Sequence, residues 1–429
     1  MKICVFGLWH LGTVTAACLA SGGHEVIGLD FDAAVVNGLK RGKPPIFEPG
    51  LEKLIKGSAN LSFTTEAAKA VERADVVWVA YDTPVDQDDN ADVEYVIERI
   101  ERLFPHLNAG TLVLISSQLP VGSTEHLENS CPDKNISFSC SPENLRLGKA
   151  IEVFTKPDRI VVGVRNEKDK ERIEAIFRPW SPRIEWMSVE SAEMTKHAVN
   201  AFLATSVTFI NELAGICEQV GADAKEVERG LKSESRIGPR AYLSPGAAFA
   251  GGTLARDITS LTQIGSKHHL PIHLLCGVHA ANNAHRNWPR RKLEELLGNL
   301  RERCIAIWGL TYKPGTDTLR RSASVELCDW LAQQGAFVQA HDPVVKSLPA
   351  ELSGKIHLVA TARDALVGAE ALVVATEWPE YLTMDAATLV STMKSPTVLD
   401  ASRFLASTLG ADSRIRYMTV GKPVYCAIR

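Results

Sequence analysis

The sequence has little of what marks membrane, secreted, nucleic-acid-binding or zinc proteins. Its apolar runs are shorter than the roughly 18–20 residues that span a bilayer, and its first residues lack the cleavage site of a signal peptide. A net charge of −4 without a long basic run argues against a nucleic-acid partner. The nine cysteines show no C-x-x-C spacing, so neither a metal site nor a disulfide framework is expected. We therefore expect a cytoplasmic protein with no membrane partner.

The length of 429 residues predicts two or three domains. Short apolar runs alternate with helical patterns from the first residues onward, and a second such alternation begins at Cys304. A proline-free helical pattern over residues 190–219 and further helices lie between the two alternations. These patterns predict an α/β protein with two Rossmann-like parallel-sheet domains, joined by a long central helix and a helical connector. The predicted domains are residues 1–188, 189–300 and 301–429.

The first βαβ unit contains an imperfect dinucleotide-binding turn, G-L-W-H-L-G. Gly7 and Gly12 match the first and third glycines of G-x-G-x-x-G, whereas Trp9 occupies the second position, where glycine lets the backbone approach a pyrophosphate. Asp30 ends the next strand, where a carboxylate accepts hydrogen bonds from ribose hydroxyls and repels a 2′-phosphate. The unit predicts NAD as cofactor, either displaced or bound more weakly because of Trp9.

Two further segments contain residue types suited to chemistry. Lys196 and Asn200 are four residues apart on the long helix, so both lie on one face, where a lysine can stabilise a developing oxyanion. The glycine-rich stretch around Phe249 runs into a helix start at Thr253, whose free N–H groups suit an anionic ligand. From the residues alone, a solvated helix face and a tight interdomain turn remain the alternatives.

The stretch R-I-G-P-R-A-Y-L-S-P-G-A-A-F-A-G-G-T-L-A-R-D resembles the active-site signature of the UDP-glucose/GDP-mannose dehydrogenase family, R-I-G followed by P-G-x-G-F-G-G-x-C-x-x-K-D. Thr253 stands at the position of the catalytic cysteine, and Arg256 at that of the lysine. The family's K-x-x-x-N pair matches Lys196 and Asn200. The resemblance spans nearly the whole chain, from Gly7 to Arg403.

The other matching motifs are Y-D-T-P beside the cofactor, S-S-Q-L-P-V-G with Gln118 in place of a threonine, S-P-E-N-L-R-L-G with Glu143, and the basic loop L-T-Y-K-P-G-T-D-T-L-R-R-S. The resemblance, together with the motifs above, implies these site residues: catalytic Lys196, Asn200, Glu143, Asp257 and Thr253; cofactor-binding Gly7, Trp9, Leu11, Gly12, Asp30, Thr83, Pro84, Gln118 and Arg320; and substrate-binding Arg236, Phe249, Gly251, Tyr312, Lys313 and Arg403.

The family resemblance implies an NAD-dependent oxidoreductase whose substrate is a nucleotide sugar. It implies that the first domain binds NAD, the middle one dimerises and holds the active-site loop, and the last binds UDP. A homodimer and a role in polysaccharide biosynthesis are expected. In the family a cysteine thiolate captures the aldehyde, and a threonine hydroxyl is far too weak an acid for that step. We therefore predict a reaction like that of UDP-glucose 6-dehydrogenase by a non-thioester route. The alternatives are a catalytically silent binder of NAD and nucleotide sugar, or a two-electron dehydrogenase that stops at an aldehyde or ketone.

Overall fold

The computed structural model divides the chain into two compact units, Met1–Val199 and Asn200–Arg429. The residues that it describes are 1–86, 91–143, 145–180, 183–250, 252–319 and 322–423.

The first unit is built on one sheet. Its strands are β1 (Lys2–Phe6), β2 (Glu25–Leu29), β3 (Leu61–Thr64), β4 (Val76–Val79), β5 (Leu112–Ile115), β6 (Ser137–Cys140), β7 (Ile160–Gly163) and β8 (Ile184–Met187). In the described residues their spatial order is β3-β2-β1-β4-β5-β6-β7-β8. Neighbouring strands run parallel except β6 and β7, which meet antiparallel at Cys140 and Gly163. The predicted parallel sheet is thus interrupted at one junction.

Helices cover both faces of this sheet. They are α1 (His10–Ser21), α2 (Ala33–Lys40), α3 (Leu51–Gly57), α4 (Ala67–Val71), α5 (Val93–Glu101), α6 (Ser123–Ser130), α7 (Ala150–Thr155) and α8 (Glu167–Phe177), with a 3₁₀ helix at Phe104–His106. Two separate apolar clusters form, one against each face. Central strands such as β4 are buried along their whole length, so they appear in the sequence as unbroken apolar runs.

The long helix α9 (Val189–Val220) runs from the first unit into the second and matches the predicted helical pattern. By length and composition alone, α9 could also cross a membrane, but a long core helix of a globular protein passes the same test. The second unit continues with α10 (Ala224–Ser233), α11 (Thr253–Lys267), α12 (His273–Arg286) and α13 (Trp288–Leu297).

A second sheet follows these helices. Its strands are β9 (Cys304–Trp308), β10 (Phe337–His341), β11 (Ile356–Leu358), β12 (Ala371–Val374), β13 (Thr397–Asp400) and β14 (Arg416–Met418). The accompanying helices are α14 (Ala323–Gln333), α15 (Ala362–Leu366) and α16 (Ala386–Thr392), with a 3₁₀ helix at Pro379–Thr383. The order β11-β10-β9-β12-β13-β14 is parallel throughout the described residues. The predicted architecture, two Rossmann-like sheets connected by a long helix, is therefore confirmed.

Candidate functional site

The turn between β1 and α1 has the geometry of a dinucleotide site. Gly7 has a φ of +93°, which only glycine adopts easily. A Cβ atom on Gly12 would lie 1.6 Å from the Gly7 carbonyl oxygen, so no larger residue fits there. Asp30 directly follows β2 and fixes this turn, because its Oδ2 accepts the Leu8 N–H at 2.6 Å. Both retained glycines are thus required by close packing.

Trp9 is accommodated because it points away from this turn. Its backbone precedes α1 with φ −77°, outside the left-handed region, and its side chain is 47% exposed. Because Trp9 forms the N-cap, α1 begins at His10, inside the motif G-L-W-H-L-G that was expected to form the turn. No side chain caps α1, which leaves its first N–H groups to a pyrophosphate. Leu11 is buried in the core behind the turn. These residues fit NAD.

Replacing Gly12 by alanine is expected to disrupt this turn. The new Cβ would overlap the Gly7 carbonyl, and such overpacking costs about 1–3 kcal/mol. Thermal unfolding and NAD titration should show a lower melting temperature and weaker binding. The matched control is Gly57→Ala, where a Cβ meets nothing within 4 Å. Unchanged NAD affinity in Gly12→Ala would contradict the assignment of this turn.

Four predicted residues lie beyond the carboxyl ends of neighbouring strands in the first unit. The Thr83 hydroxyl, beyond β4, donates to the Gln118 carbonyl oxygen beyond β5 at 2.7 Å. Pro84 beside it is exposed. Glu143 follows β6, is half-buried and accepts the Leu145 N–H at 2.7 Å. Lys196 lies on α9 and is half-buried. This is the sheet edge at which open α/β folds bind ligands.

Glu48 is a residue of this unit that the sequence argument missed. It is 3% exposed, and its carboxylate accepts the N–H groups of Gly148 at 2.7 Å and Ala150 at 2.9 Å. The same carboxylate lies 3.0 Å from Nε2 of His10, the first residue of α1. Glu48 therefore connects the dinucleotide turn to the segment that follows Glu143. Its E-P-G context reads as an ordinary turn, so sequence carried little signal.

In the second unit the structure brings together two predicted catalytic residues. The Asn200 amide donates to the Asp257 carboxylate, and both side chains are buried. Thr253 is the first residue of α11 and is exposed, one helical turn before Asp257. Gly252 precedes it with a φ of +105°. The Thr253 hydroxyl thus lies at a helix N-terminus, where an anion would be stabilised.

The glycine-rich loop before α11 is held by two buried asparagines that sequence did not identify. Asn211 on α9 accepts the Gly246 N–H at 3.0 Å and donates to the Ala247 carbonyl at 3.3 Å. Asn282 on α12 binds both the N–H and the carbonyl of Phe249, each at 3.0 Å. The signal in the sequence that could have identified these two asparagines is a polar residue on a helix face that is otherwise buried. Phe249 packs against an apolar cluster of the same unit.

The predicted substrate-binding residues are dispersed over the second unit. Arg236 is exposed and pairs with Glu234 at 3.0 Å. The Lys313 ammonium lies 5.5 Å from the centre of the Tyr312 ring. The Arg403 guanidinium pairs with Asp223 at 2.6 Å, so its side chain is already held within the protein. Gly251 and Arg320 lie outside the described residues.

A cavity of about 100 Å³ lies near the carboxyl ends of β12 and β13. Its lining includes Ala247 and Ala248 of the glycine-rich loop, Ala375, Ala401 and Ser324 near the start of α14. A helix start beside the carboxyl ends of parallel strands suits a phosphate-bearing ligand.

The described cysteines supply no thiol at these positions. Burial is the largest of the effects that together raise the pKa of the Cys18 thiol to about 12. Burial likewise raises the pKa of Cys328 to about 12. Cys276 is exposed, but it lies on α12, outside the resembling motif. Within the described residues no cluster of side chains suits a metal ion.

Known proteins match the chain in all three of its regions. Residues 1–181 match the UDP-glucose/GDP-mannose dehydrogenase family, NAD binding domain. Residues 190–284 match the central domain of that family, and residues 306–407 match its UDP binding domain.

Individual relatives match over almost the full chain. The UDP-glucose 6-dehydrogenase of Rhizobium meliloti is 34% identical over 438 residues, covering 99% of this chain and 100% of its own. That of Pseudomonas aeruginosa is 32% identical over 444 residues, covering 99% of this chain and 98% of its own. A solved UDP-glucose dehydrogenase from Pyrobaculum islandicum superposes with a TM-score of 0.86 at 30% identity, covering 98% of each chain. The chain therefore belongs to the UDP-glucose/GDP-mannose dehydrogenase family and is an NAD-dependent nucleotide-sugar dehydrogenase.

Proposed function

We propose that the chain oxidises the primary alcohol of UDP-glucose, or of a closely related UDP-hexose, to a carboxylate without forming a thioester. The observation that carries this proposal is Thr253 at the start of α11, where the family signature has cysteine. The raised pKa values of Cys18 and Cys328 support it, because such thiols stay protonated and unreactive.

In the route that fits these residues, a water molecule adds to the aldehyde and no covalent bond to the protein forms. The alcohol loses a hydride and a proton to give an aldehyde. A water molecule then adds to the aldehyde, and the hydrate loses a second hydride and two further protons to give the carboxylate. NAD supplies the chemistry of hydride acceptance when it is bound.

Side chains of the protein would accept protons and stabilise the charge that develops in these steps. Lys196 would stabilise the alkoxide that forms as the hydroxyl proton leaves. Glu143 would accept a proton from the attacking water, because its carboxylate follows β6 and is half-buried. Asn200, oriented by its hydrogen bond to Asp257, would hold the reacting oxygen in place.

Counting the NADH formed for each UDP-glucose consumed tests this proposal. Two NADH together with UDP-glucuronate, and no covalent adduct by mass spectrometry of the quenched enzyme, is the expected result. One NADH would instead assign a dehydrogenase that stops at the aldehyde or ketone. None, with UDP-glucose still bound, would indicate a silent binder. A panel of UDP-, GDP- and dTDP-sugars identifies the preferred substrate.

We also propose that two copies of the chain pair through α9. Four large apolar side chains on α9 are 46–70% exposed: Phe202, Phe209, Ile216 and Val220. Three of them are separated by seven residues, which places them along one stripe of the helix. An exposed apolar stripe of this kind is typical of a protein interface.

Phe209→Glu is expected to dissociate this dimer. A buried aromatic anchor contributes about 2 kcal/mol or more to an interface, so affinity should fall about 30-fold or more. Sedimentation velocity over a concentration series measures the change. Val367→Glu is the matched control, because Val367 is also exposed but follows α15 and is not part of α9. A wild-type chain that stays monomeric at all concentrations would contradict the assignment.

We place the reaction in the cytoplasm and assign its product to polysaccharide biosynthesis. The support for the compartment is that the eight described cysteines are all free thiols, as in a reducing environment. Recovery of the native protein in a membrane or extracellular fraction would contradict this placement.

A further inference from the structure

The 117–124 turn, which joins β5 to α6 and includes the first two residues of α6, is attached to α9 at two points. Nε2 of His197 lies 3.1 Å from the Leu119 carbonyl oxygen. Because a carbonyl only accepts, His197 is the donor. Farther along the turn, Glu193 accepts the Gly122 N–H at 2.7 Å and the Thr124 N–H at 2.9 Å. Two side chains of one helix thus hold both ends of the turn.

The hydrogen bonds that the Glu193 carboxylate accepts from the 117–124 turn are strong. This carboxylate is 5% exposed and also accepts the Thr124 hydroxyl at 2.6 Å. These donors lie at the start of α6, which has no side-chain cap of its own because its N-cap is Gly122. A buried carboxylate at a helix N-terminus gains from charge-assisted hydrogen bonds and from the helix dipole. Glu193 therefore serves α6 as a cap supplied by another helix.

Lys196 lies between these two attachment points on α9. It follows Glu193 by three residues and precedes His197 by one, so all three belong to a single turn of the helix. The 117–124 turn is also held by Thr83, whose hydroxyl donates to the Gln118 carbonyl. A shift or rotation of α9 at Lys196 would break the contacts of Glu193 and His197 together.

We propose that Glu193 and His197 are positioning residues that set where Lys196 lies relative to the 117–124 turn. This inference rests on the catalytic role proposed above for Lys196. Glu193 and His197 do not act on the substrate themselves. They fix the position of α9 along its axis and its rotation about that axis, so that the lysine ammonium faces the reacting oxygen.

Glu193→Gln, made both in the native chain and in a Lys196→Met chain, tests the proposal. A glutamine has one acceptor oxygen and an NH₂ group that would face an N–H donor. In the native chain, kcat is expected to fall about 10- to 100-fold, the loss typical of a hydrogen bond to a charged group. The KM for UDP-glucose and the Kd for NAD should stay within about threefold. In the Lys196→Met chain, the Glu193→Gln substitution should not lower kcat any further.

Two results would overturn the proposal: an equal loss in both chains, or no loss in the native one. Full activity of Lys196→Met by itself would instead refute the proposed role of the lysine, so the two failures are distinguishable. Glu190→Gln is the matched control, since Glu190 is on the same helix but pairs with Arg165 at 2.6 Å rather than with the turn.

A second pair of variants decides the matter if Glu193→Gln does not fold. His197→Gln retains a donor for the Leu119 carbonyl, whereas His197→Leu does not. The glutamine variant should keep kcat within about threefold, and the leucine variant should lose about tenfold or more. Equal activity of the two, with equal melting temperatures, would contradict the positioning role.

Discussion

Lys196→Met is expected to lower kcat about 100- to 1000-fold, the loss typical of removing one group that stabilises developing charge. Methionine has nearly the length of lysine and is also a good helix former, so α9 should remain intact. The KM for UDP-glucose should change far less, because the ammonium acts mainly on the transition state. Initial rates of NADH formation, together with melting temperatures, measure the effect.

The control for this substitution is Lys56→Met, which removes an exposed lysine that pairs with Glu52 on α3. It should leave kcat unchanged, since an exposed ion pair contributes little. A Lys196→Met enzyme that keeps its rate within about threefold would remove the lysine from the mechanism.

Thr253→Cys is expected to introduce covalent chemistry that the proposed route does not use. A thiol ionises near neutral pH, and the N-terminus of α11 would lower the pKa of a cysteine at this position further. An acyl adduct should then be detectable by mass spectrometry after rapid quenching, and iodoacetamide should inactivate the variant. The native enzyme should keep its activity when the exposed Cys276 is alkylated.

Thr253→Ala provides the companion measurement. If the hydroxyl is not a nucleophile, its loss should change kcat less than about threefold, far below the effect expected for a covalent catalyst. Thr253→Ser keeps the hydroxyl and should behave in the same way. A loss of about 1000-fold in the alanine variant, together with an ester adduct in the native enzyme, would show that Thr253 itself is the nucleophile.

The fold could be predicted where burial leaves a direct trace in sequence. Strands β4 and β5 are apolar throughout because both faces of the sheet are covered. Strand β6 reads S-F-S-C and was not predicted, since Ser139 is fully buried despite being polar. The start of α1 at His10 was not predicted either, because the motif G-L-W-H-L-G was interpreted as a turn up to Gly12.

The candidate site could be predicted only in part, for a similar reason. The roles of Gly7, Gly12 and Asp30 follow from local spacing within one βαβ unit. Asn211 and Asn282 bind backbone groups about 35 and 33 residues away, so no local motif identifies them. The roles assigned to Lys196, Glu143 and the substrate-binding residues remain predictions that the variants above will test.

Residue identities and their spacing thus determined the family and the cofactor, and they place Thr253 where the resembling motif has cysteine, because those properties depend on which side chains are present. Tertiary structure decided which buried groups satisfy one another, as with Glu193 and the Gly122 N–H, 71 residues apart. Periodicity shows which face of a helix is buried, but the partner of a buried carboxylate depends on how distant segments pack. Each such group must find its donors inside the protein, and only the folded chain brings them within reach.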